Sequence, residues 1–432
     1  MHDAVYIAPD VYFPLEIVTR EYAGHLLLAT ELASRGRTAI IGHKGRVAEA
    51  MRNAERGGVL FYKNAHSPAW ADDRHTLVGQ DPEAGFAVLD YADFYNSSTR
   101  GDLAGSRSRA QFCFGPDEYA FLTTQHPDRA DRVFLTGSPR VSLWGRDGDA
   151  YFDRQTTAIS DHFGAFALFA SSGNAMLLHA EELKKHGRTT DAWERREGAH
   201  RFLASARRAA ENLAVPVVIR PHPLESWEAW HRLVAPVENL FLENVFELAA
   251  WTRAACAVVH PGESAAVLEA VVSGTPAIST AIDTTSLPIS HEAADDDHLV
   301  ELLRTAVAGE LPSTVSPEAD RILRGKVLHP VEGSARRIAD VLDEILPSEG
   351  PSGLPPRAAP VSERLRTLTA ALTSRRIDNE SQLGRKRPTA YKRPALTLEQ
   401  VRRDVAAASR TLGMTQAINV SQYSRNCFVL QR

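Results

Sequence analysis

Two doubly wound α/β domains are the fold class this sequence predicts, and three observations carry the prediction. The chain has 432 residues, too many for one domain of about 100–200 residues. Short β-branched and aromatic runs alternate with helical patterns along most of its length, the mark of parallel sheets covered by helices. The alternation comes as two series, separated near Gly145–Ser160. The expected layout is a first domain at 1–150, a second at 151–348, and a linker with a basic helical tail at 349–432. In such sheets ligands sit beyond the carboxyl ends of the strands, so chemistry is expected in the cleft where the domains face each other.

In chain order, the first series offers strands at Val5–Ala8, Thr38–Gly42, Val59–Tyr62, Phe86–Leu89, Gln111–Phe114 and Val133–Thr136. Over Glu21–Ser34, Tyr22, Leu26, Ala29 and Ala33 recur at helical spacing and Gly36 ends the run. The second series offers Phe166–Ala170, Pro216–Ile219, Leu240–Leu242, Ala255–His260 and Pro276–Thr280. Residues 181–200 are polar and read as an exposed helical insertion. Pro347–Pro360 holds five prolines and two glycines in 14 residues and reads as a linker. Beyond it lie a basic helical pattern, a loop around Gly384–Pro394 and a helix near Thr397–Leu412.

Composition bounds the class. Hydrophobic residues are 44% and charged residues 24%, a globular balance. No run reaches the roughly 18 apolar residues of a membrane span. The start MHDAVYIAPDVYFPLEI has no signal-peptide pattern, so a cytoplasmic protein is expected. Cys113, Cys256 and Cys427 lack metal-ligand spacing, so neither zinc nor a disulfide framework is expected. Net charge is −5, but from Pro351 onward 15 Lys and Arg face 5 Asp and Glu. A basic tail on an acidic body implies an anionic partner. Nucleic acid is a poor one, because the tail has almost no aromatics to stack on bases. A membrane surface is expected for Arg375–Arg393, at the inner membrane face, and packing back onto the body for Thr397–Leu412.

Four strand exits carry chemistry-bearing residues. In ACAVVHPGESAAVLEAVVSGTP (Ala255–Pro276) a strand ends at His260, Pro261 and Gly262 turn the chain, and a helix starts near Glu263–Ser264. A helix N-terminus there can hold a phosphate, with Ser264 and His260 as added donors, and Glu269 can accept from ribose hydroxyls. In AVPVVIRPHP, Arg220 and His222 leave a strand between prolines, where Arg suits a bidentate phosphate contact. In FLTGSPR, Gly137 permits close backbone approach and Arg140 meets an anion. In FASSGN, Ser172 lies in a hydroxyl-rich turn. In the first half, Asp10, Glu16, Arg20 and Glu21 follow the first expected strand, and His43 and Lys44 follow the second. Acids there serve as general base or nucleophile. The sequence has no P-loop, no G-x-G-x-x-G and no H-E-x-x-H, which removes most of the case for P-loop hydrolysis, classical dinucleotide oxidation and zinc proteolysis.

The segments VTREYAGHLLLATELASRGRTAIIGHK, FCFGPDEYAFL, VFLTGSPRVSLW, RPHP and the His260–Pro276 helix, in that order, resemble the bacterial surface carbohydrate biosynthesis family. That family belongs with GT-B glycosyltransferases acting on lipopolysaccharide and capsule glycans. RPHP and HPGES also resemble the histidine-proline and serine motifs of CMP-sugar-using sialyl- and Kdo-transferases, where they hold the CMP phosphate. The resemblance implies a GT-B fold, a nucleotide sugar on the second domain, a glycan or lipid-linked glycan acceptor on the first, and no metal or other cofactor. Two positions depart from it: Glu263 and Glu269 are six apart where many GT-B enzymes space paired glutamates by eight, and Ser138 stands where members carry Asn. The residues assigned to the nucleotide sugar are Gly137, Arg140, Ser172, Arg220, His222, His260, Glu263, Ser264 and Glu269. Arg20 and Lys44 are assigned to the acceptor, and Glu16 or Asp10 to catalysis with His43 next. Rival readings are a CDP-glycerol-type polyol-phosphate transferase, a sugar-nucleotide epimerase on the same scaffold, and a non-catalytic glycan-binding protein.

Overall fold

The structure is a computed structural model. It describes residues 9–346 and 395–432 apart from 55, 64–67, 69–70, 72, 82–107, 172–190, 224, 235–236, 263–264 and 281–287. These residues form two units. One comprises 9–151, 324–346 and 395–432, the other 152–323.

The first unit is built on an eight-stranded sheet. Its strands are β1 (Val11–Leu15), β2 (Ala39–His43), β3 (Val59–Tyr62), β4 (Thr76–Gly79), β5 (Ala110–Cys113) and β6 (Val133–Leu135), all parallel. The order β2-β1-β3-β4-β5-β6 reverses direction between β1 and β3, which makes that pair the switch point of a doubly wound sheet. The helix Val18–Ser34 covers one face and Lys44–Asn53 the other. Tyr22, Leu26, Ala29 and Ala33 are buried, as their spacing predicts. Ile17 offers no side-chain cap, so the Glu21 carboxylate reaches back to accept from the Glu16 and Ile17 amides at 2.7 and 3.3 Å. Gly36, at φ 84°, lies just past the helix end.

The strand expected at Val5–Ala8 lies outside the described residues, as does the one at Phe86–Leu89. The described first strand is β1, which carries Pro14 in the sheet interior. The exception has a local reason. Asp10 accepts from Val59 on the β3 side, so residues 12 and 14 also point that way, and pairing with β3 stops at Tyr12. Pro14 therefore faces a place where no ladder donor is needed.

The C-terminal segment completes this unit, and here the expected layout is corrected twice. Residues 324–346 were placed with the second domain but pack in the first unit. Gly115 lets the backbones touch, since a Cβ there would meet the Lys326 carbonyl, and Gly325 leaves room for the Asp117 carboxylate. Arg35 then bridges Asp340 and Asp343 at 2.7 and 3.0 Å, fixing the helix Ser334–Ile345. The tail, expected to be helical, is over its described residues 395–432 a helix followed by two strands. The helix Leu398–Thr411, capped by Thr397, buries Val401, Val405 and Ala408, and Tyr22 donates to Asp404 at 2.9 Å. The strands β13 (Asn419–Ser424) and β14 (Cys427–Gln431) form an antiparallel hairpin, and β14 joins the sheet against β2. Gly42 admits it, since a Cβ there would stand 2.3 Å from the Asn426 carbonyl.

The second unit carries a fully parallel sheet of β7 (Ala167–Ala170), β8 (Val217–Arg220), β9 (Leu240–Leu242), β10 (Ala257–His260), β11 (Ala277–Ser279) and β12 (His291–Glu292). Its order, β12-β11-β10-β7-β8-β9, is that of the doubly wound dinucleotide-binding sheet, with the switch point between β7 and β10. Val217, Ile219, Ala257, Val259 and Phe169 pack against Phe202, Leu203 and Ala206 of the helix Asp191–Asn212. The fold class is thus two Rossmann-like units in tandem, as the strand–helix alternation predicts. Among the described residues no helix is long and apolar enough to cross a membrane.

Candidate functional site

The carboxyl ends of the second sheet carry Arg220, His222 and His260, three of the residues singled out in the sequence. β7, β8 and β10 are neighbours there, so the exits after Ala170, Arg220 and His260 fall within about 10 Å across the sheet.

The exit of β8 is held by a carboxyl that sequence reasoning missed. Glu225 is fully buried. Its Oε2 accepts from the Trp230 indole at 3.1 Å, from the His222 amide at 2.8 Å and from the Ser171 hydroxyl. Ser171 Oγ in turn accepts from the His222 amide at 2.6 Å. One carboxyl thus ties the end of β7 to the RPHP turn. In the sequence it was one Glu two residues beyond a basic motif, with no sign of burial.

Arg220 was assigned to a phosphate, but the structure shows another use. Its Nη1 donates to the Val245 carbonyl at 2.8 Å and its Nη2 to the Phe246 carbonyl. The guanidinium stacks 5.7 Å from the Trp251 ring centroid, and Trp251 Nε1 also donates to Val245 at 2.6 Å. Burial pulls the Arg220 pKa down to about 10 against the opposing pull of Glu269, Glu243 and Glu247. Phe246 has φ 62°, a conformation unfavourable for a side chain of its size, and Arg220 helps to hold it there. Arg220 is a positioning residue for the turn after β9. Glu269, assigned to ribose, is buried on the helix Ala265–Val272 within electrostatic reach of Arg220.

His260 ends β10 at the switch point and is fully buried. Its Nδ1 lies 2.7 Å from the Gly262 carbonyl, and its Nε2 has no hydrogen-bond partner among the described residues. Burial lowers its pKa to about 4, so the ring is neutral at pH 7. Ser172, Glu263 and Ser264 lie outside the described residues.

The first sheet carries a different group of residues. Glu16 follows β1 and Lys63 follows β3, so the pair spans the β1/β3 switch point. Glu16 forms ion pairs with Lys63 and, at 3.7 Å, with Lys44. Burial alone would raise the Glu16 carboxyl, but the two ammonium groups outweigh it and hold its pKa below the ordinary value. Lys63 was not foreseen, although a lysine just beyond a well-defined strand was the available signal. Arg20 pairs with Glu21 at 3.1 Å, beside Glu16. His43 ends β2, and its amide donates to Asn426 at 2.9 Å. Asp10 is corrected in position: it precedes β1, at the amino ends of the strands. There its carboxylate accepts from the Thr38 amide at 2.7 Å, and burial raises its pKa.

Gly137 has φ 70°, and its carbonyl accepts from Gln80 Nε2 at 2.9 Å. Arg337 donates to Thr136 at 2.7 Å and lies where a Gly137 side chain would stand, with Nη2 3.2 Å from the would-be Cβ. Arg140 lies in the first unit and stacks 5.1 Å from the Trp144 ring centroid. Gly137 and Arg140, assigned to the nucleotide sugar of the second domain, thus belong to the first unit. Among the described residues no group of three His, Cys, Asp or Glu is placed to hold a metal ion.

No protein-family model matches the chain, and no curated protein matches it in sequence. Among solved structures, the chain is similar to a histidine variant of the wall teichoic acid polymerase TagF soaked with CDPG. Identity is 12%, coverage 80% of this chain and 90% of that chain, and the TM-score 0.47. It is also similar to a structure described as a putative UDP-N-acetylglucosamine 2-epimerase from Listeria monocytogenes (13% identity, 78% and 97% coverage, TM-score 0.47). The calicheamicin glycosyltransferase CalG4 is similar at 13% identity, 70% and 72% coverage and a TM-score of 0.33.

Proposed function

We propose that this chain is a GT-B glycosyltransferase of surface polysaccharide synthesis that takes a sugar from a nucleotide-sugar donor, CMP-linked by preference, to a glycan or lipid-linked glycan acceptor. The observation that carries the reading is the β7/β10 switch point of the second unit. The exits of β8 and β10 there present a fixed turn at His222, a neutral buried His260 and the start of the helix Ala265–Val272. That combination suits a nucleotide. The helix end favours phosphate oxygens, and the pinned RPHP turn holds His222 without reorganisation when the leaving nucleotide gains charge.

Within this reading Glu16 is the catalytic carboxylate, because it stands at the ligand end of its sheet and Lys63 and Lys44 keep it ionised. Asp10 is set aside, since it lies at the opposite end and is bonded to Thr38. Arg20 and Lys44 contact the acceptor. Arg220 acts on the nucleotide through the turn it holds, and Glu269 through its charge near Arg220. No metal is invoked, because a helix end and the donors of the RPHP turn handle the phosphates. Peripheral membrane contact is assigned to Arg375–Arg393, which lie outside the described residues.

A thermal-shift screen of the full chain against CMP, CDP, UDP, GDP and their sugars tests the reading. A ligand at 100 times its dissociation constant adds about 2.7 kcal/mol of stability. The expected outcome is stabilisation by a cytidine compound. A response to CDP-glycerol alone would transfer the proposal to polyol-phosphate transfer, and no response to any nucleotide would overturn it.

A further inference from the structure

We propose that His260 reads a ribose hydroxyl of the bound nucleotide, accepting its hydrogen bond at Nε2. The inference rests on the nucleotide-binding reading above and assigns His260 a role opposite to the phosphate donor expected from the sequence.

The tautomer follows from one contact. Nδ1 lies 2.7 Å from the Gly262 carbonyl oxygen, which has only lone pairs to offer, so Nδ1 carries the proton and donates. The contact is built into the turn: Gly262 has φ 155°, a backbone state that suits glycine, and the turn brings its carbonyl back to the ring. With Nδ1 protonated, Nε2 of the neutral ring is an acceptor only. A second proton would place an imidazolium in a fully buried position, and burial already holds the pKa near 4.

Nε2 is itself buried and has no partner among the described residues. An orphaned buried acceptor costs about 1–3 kcal/mol and calls for an explanation. Its location supplies one. His260 is the last residue of β10, beside the point where the strand order reverses, where doubly wound sheets bind their ligands. What Nε2 can take there is a hydrogen-bond donor. A phosphate at neutral pH presents lone pairs and does not fit. A hydroxyl does, and in a nucleotide the hydroxyls are on the ribose; a base N–H is the other donor, and deoxy ligands separate the two because only a ribose contact is lost with the hydroxyl. Discrimination is then large, because a deoxy ligand leaves Nε2 unpaired again.

The variant H260N isolates the atom. An asparagine side-chain amide can occupy the place of Nδ1–H and keep the bond to Gly262, while nothing replaces Nε2. Isothermal titration of the full chain would compare CMP and UMP with their 2′-deoxy and 3′-deoxy forms, in wild type and H260N. The wild type is expected to prefer the ribonucleotide over one deoxy form by about tenfold or more. H260N is expected to bind that deoxy form as wild type does and to lose the preference. An unchanged preference in H260N, or none in wild type, overturns the inference while leaving nucleotide binding intact. If wild type binds none of these nucleotides, the functional reading falls and this inference falls with it. Nitrogen-15 spectra of wild-type His260 provide a second check should H260N fold poorly. Nε2 should be unprotonated at pH 7 and should shift with the ribonucleotide but not with that deoxy form. A doubly protonated ring, or equal shifts with both, overturns the assignment.

Discussion

At the β1/β3 crevice of the first sheet, Glu16 faces Lys63 and Lys44, and all three side chains keep about a third of their surface in water (32, 35 and 27%). At the β7/β10 crevice of the second, Glu225 and His260 have none of theirs in water. The first crevice pairs charge with charge. The second bonds its groups to backbone amides and carbonyls, an indole and a hydroxyl. Water still screens the first set, so its members can be exchanged at little cost to the fold. The second set has no such reserve, since each partner left behind is a buried polar group without a bond. Groups that water screens sit at the first crevice, and groups that fix the shape of the strand exits sit at the second.

The sharpest way to break this contrast is Glu225→Ala. The substitution strands the Trp230 indole N–H and the Ser171 hydroxyl and removes one of two acceptors from the His222 amide. A loss of about 2–6 kcal/mol in unfolding free energy is expected by chemical denaturation, about 1–3 kcal/mol for each of the two stranded groups. Glu225→Gln, which keeps an acceptor oxygen, should lose less. A loss below about 1 kcal/mol for the alanine variant would show that the second crevice is as yielding as the first.

The next largest effect is a pH dependence. The folded pKa of His260, about 4, lies below the ordinary value of 6.5, so the unfolded chain binds the proton more readily. Its contribution is complete above pH 6.5 and is lost as pH falls toward 4. The full loss is about 3 kcal/mol. His25, also buried with a pKa near 4, acts in the same direction. The difference between wild type and H260N isolates the His260 share, because His25 is present in both. Stability measured from pH 7 to pH 4 should fall less steeply in H260N. Parallel curves would mean that His260 is not neutral in the fold.

How much of this was legible in the sequence follows the same divide. Val59–Tyr62 and Leu240–Leu242 appear where their β-branched and aromatic runs place them, and the buried stripe of the first helix follows its spacing. Strand exits could be located as well, because a Gly or Pro after an apolar run marks one. Partner choice could not. Nothing around Arg220 tells that its Nη groups meet carbonyls 25 and 26 residues away, and nothing around Glu225 tells that it is buried. At Pro14 the local rule points away from the fold, since a proline argues against an interior strand until it is known that pairing with β3 ends at Tyr12. The C-terminal hairpin had a signal in the apolar run Cys427–Leu430, which the basic composition of the tail obscured.

The smallest expected effect on stability separates the two crevices most cleanly. Glu16→Gln removes the charge facing Lys63 and Lys44 and keeps the side chain's size. Because these groups are part-exposed, the expected cost is about 0–1 kcal/mol. Since the ammonium groups favour the charged carboxylate, whatever the pairs contribute is present above the ordinary carboxylate range and fades as pH falls through the lowered pKa. Wild type and Glu16→Gln should therefore converge in stability toward acid pH. If the carboxylate is the catalytic group, turnover should collapse in this variant while nucleotide affinity stays that of wild type, because a group used in the transition state lowers kcat and leaves ground-state binding intact. Full activity with unchanged stability would leave Glu16 a surface ion pair and move the catalytic role to His43, at the end of the neighbouring strand β2. A stability loss like that of Glu225→Ala would instead make the first crevice architecture too, and the contrast between the two sheets would not hold.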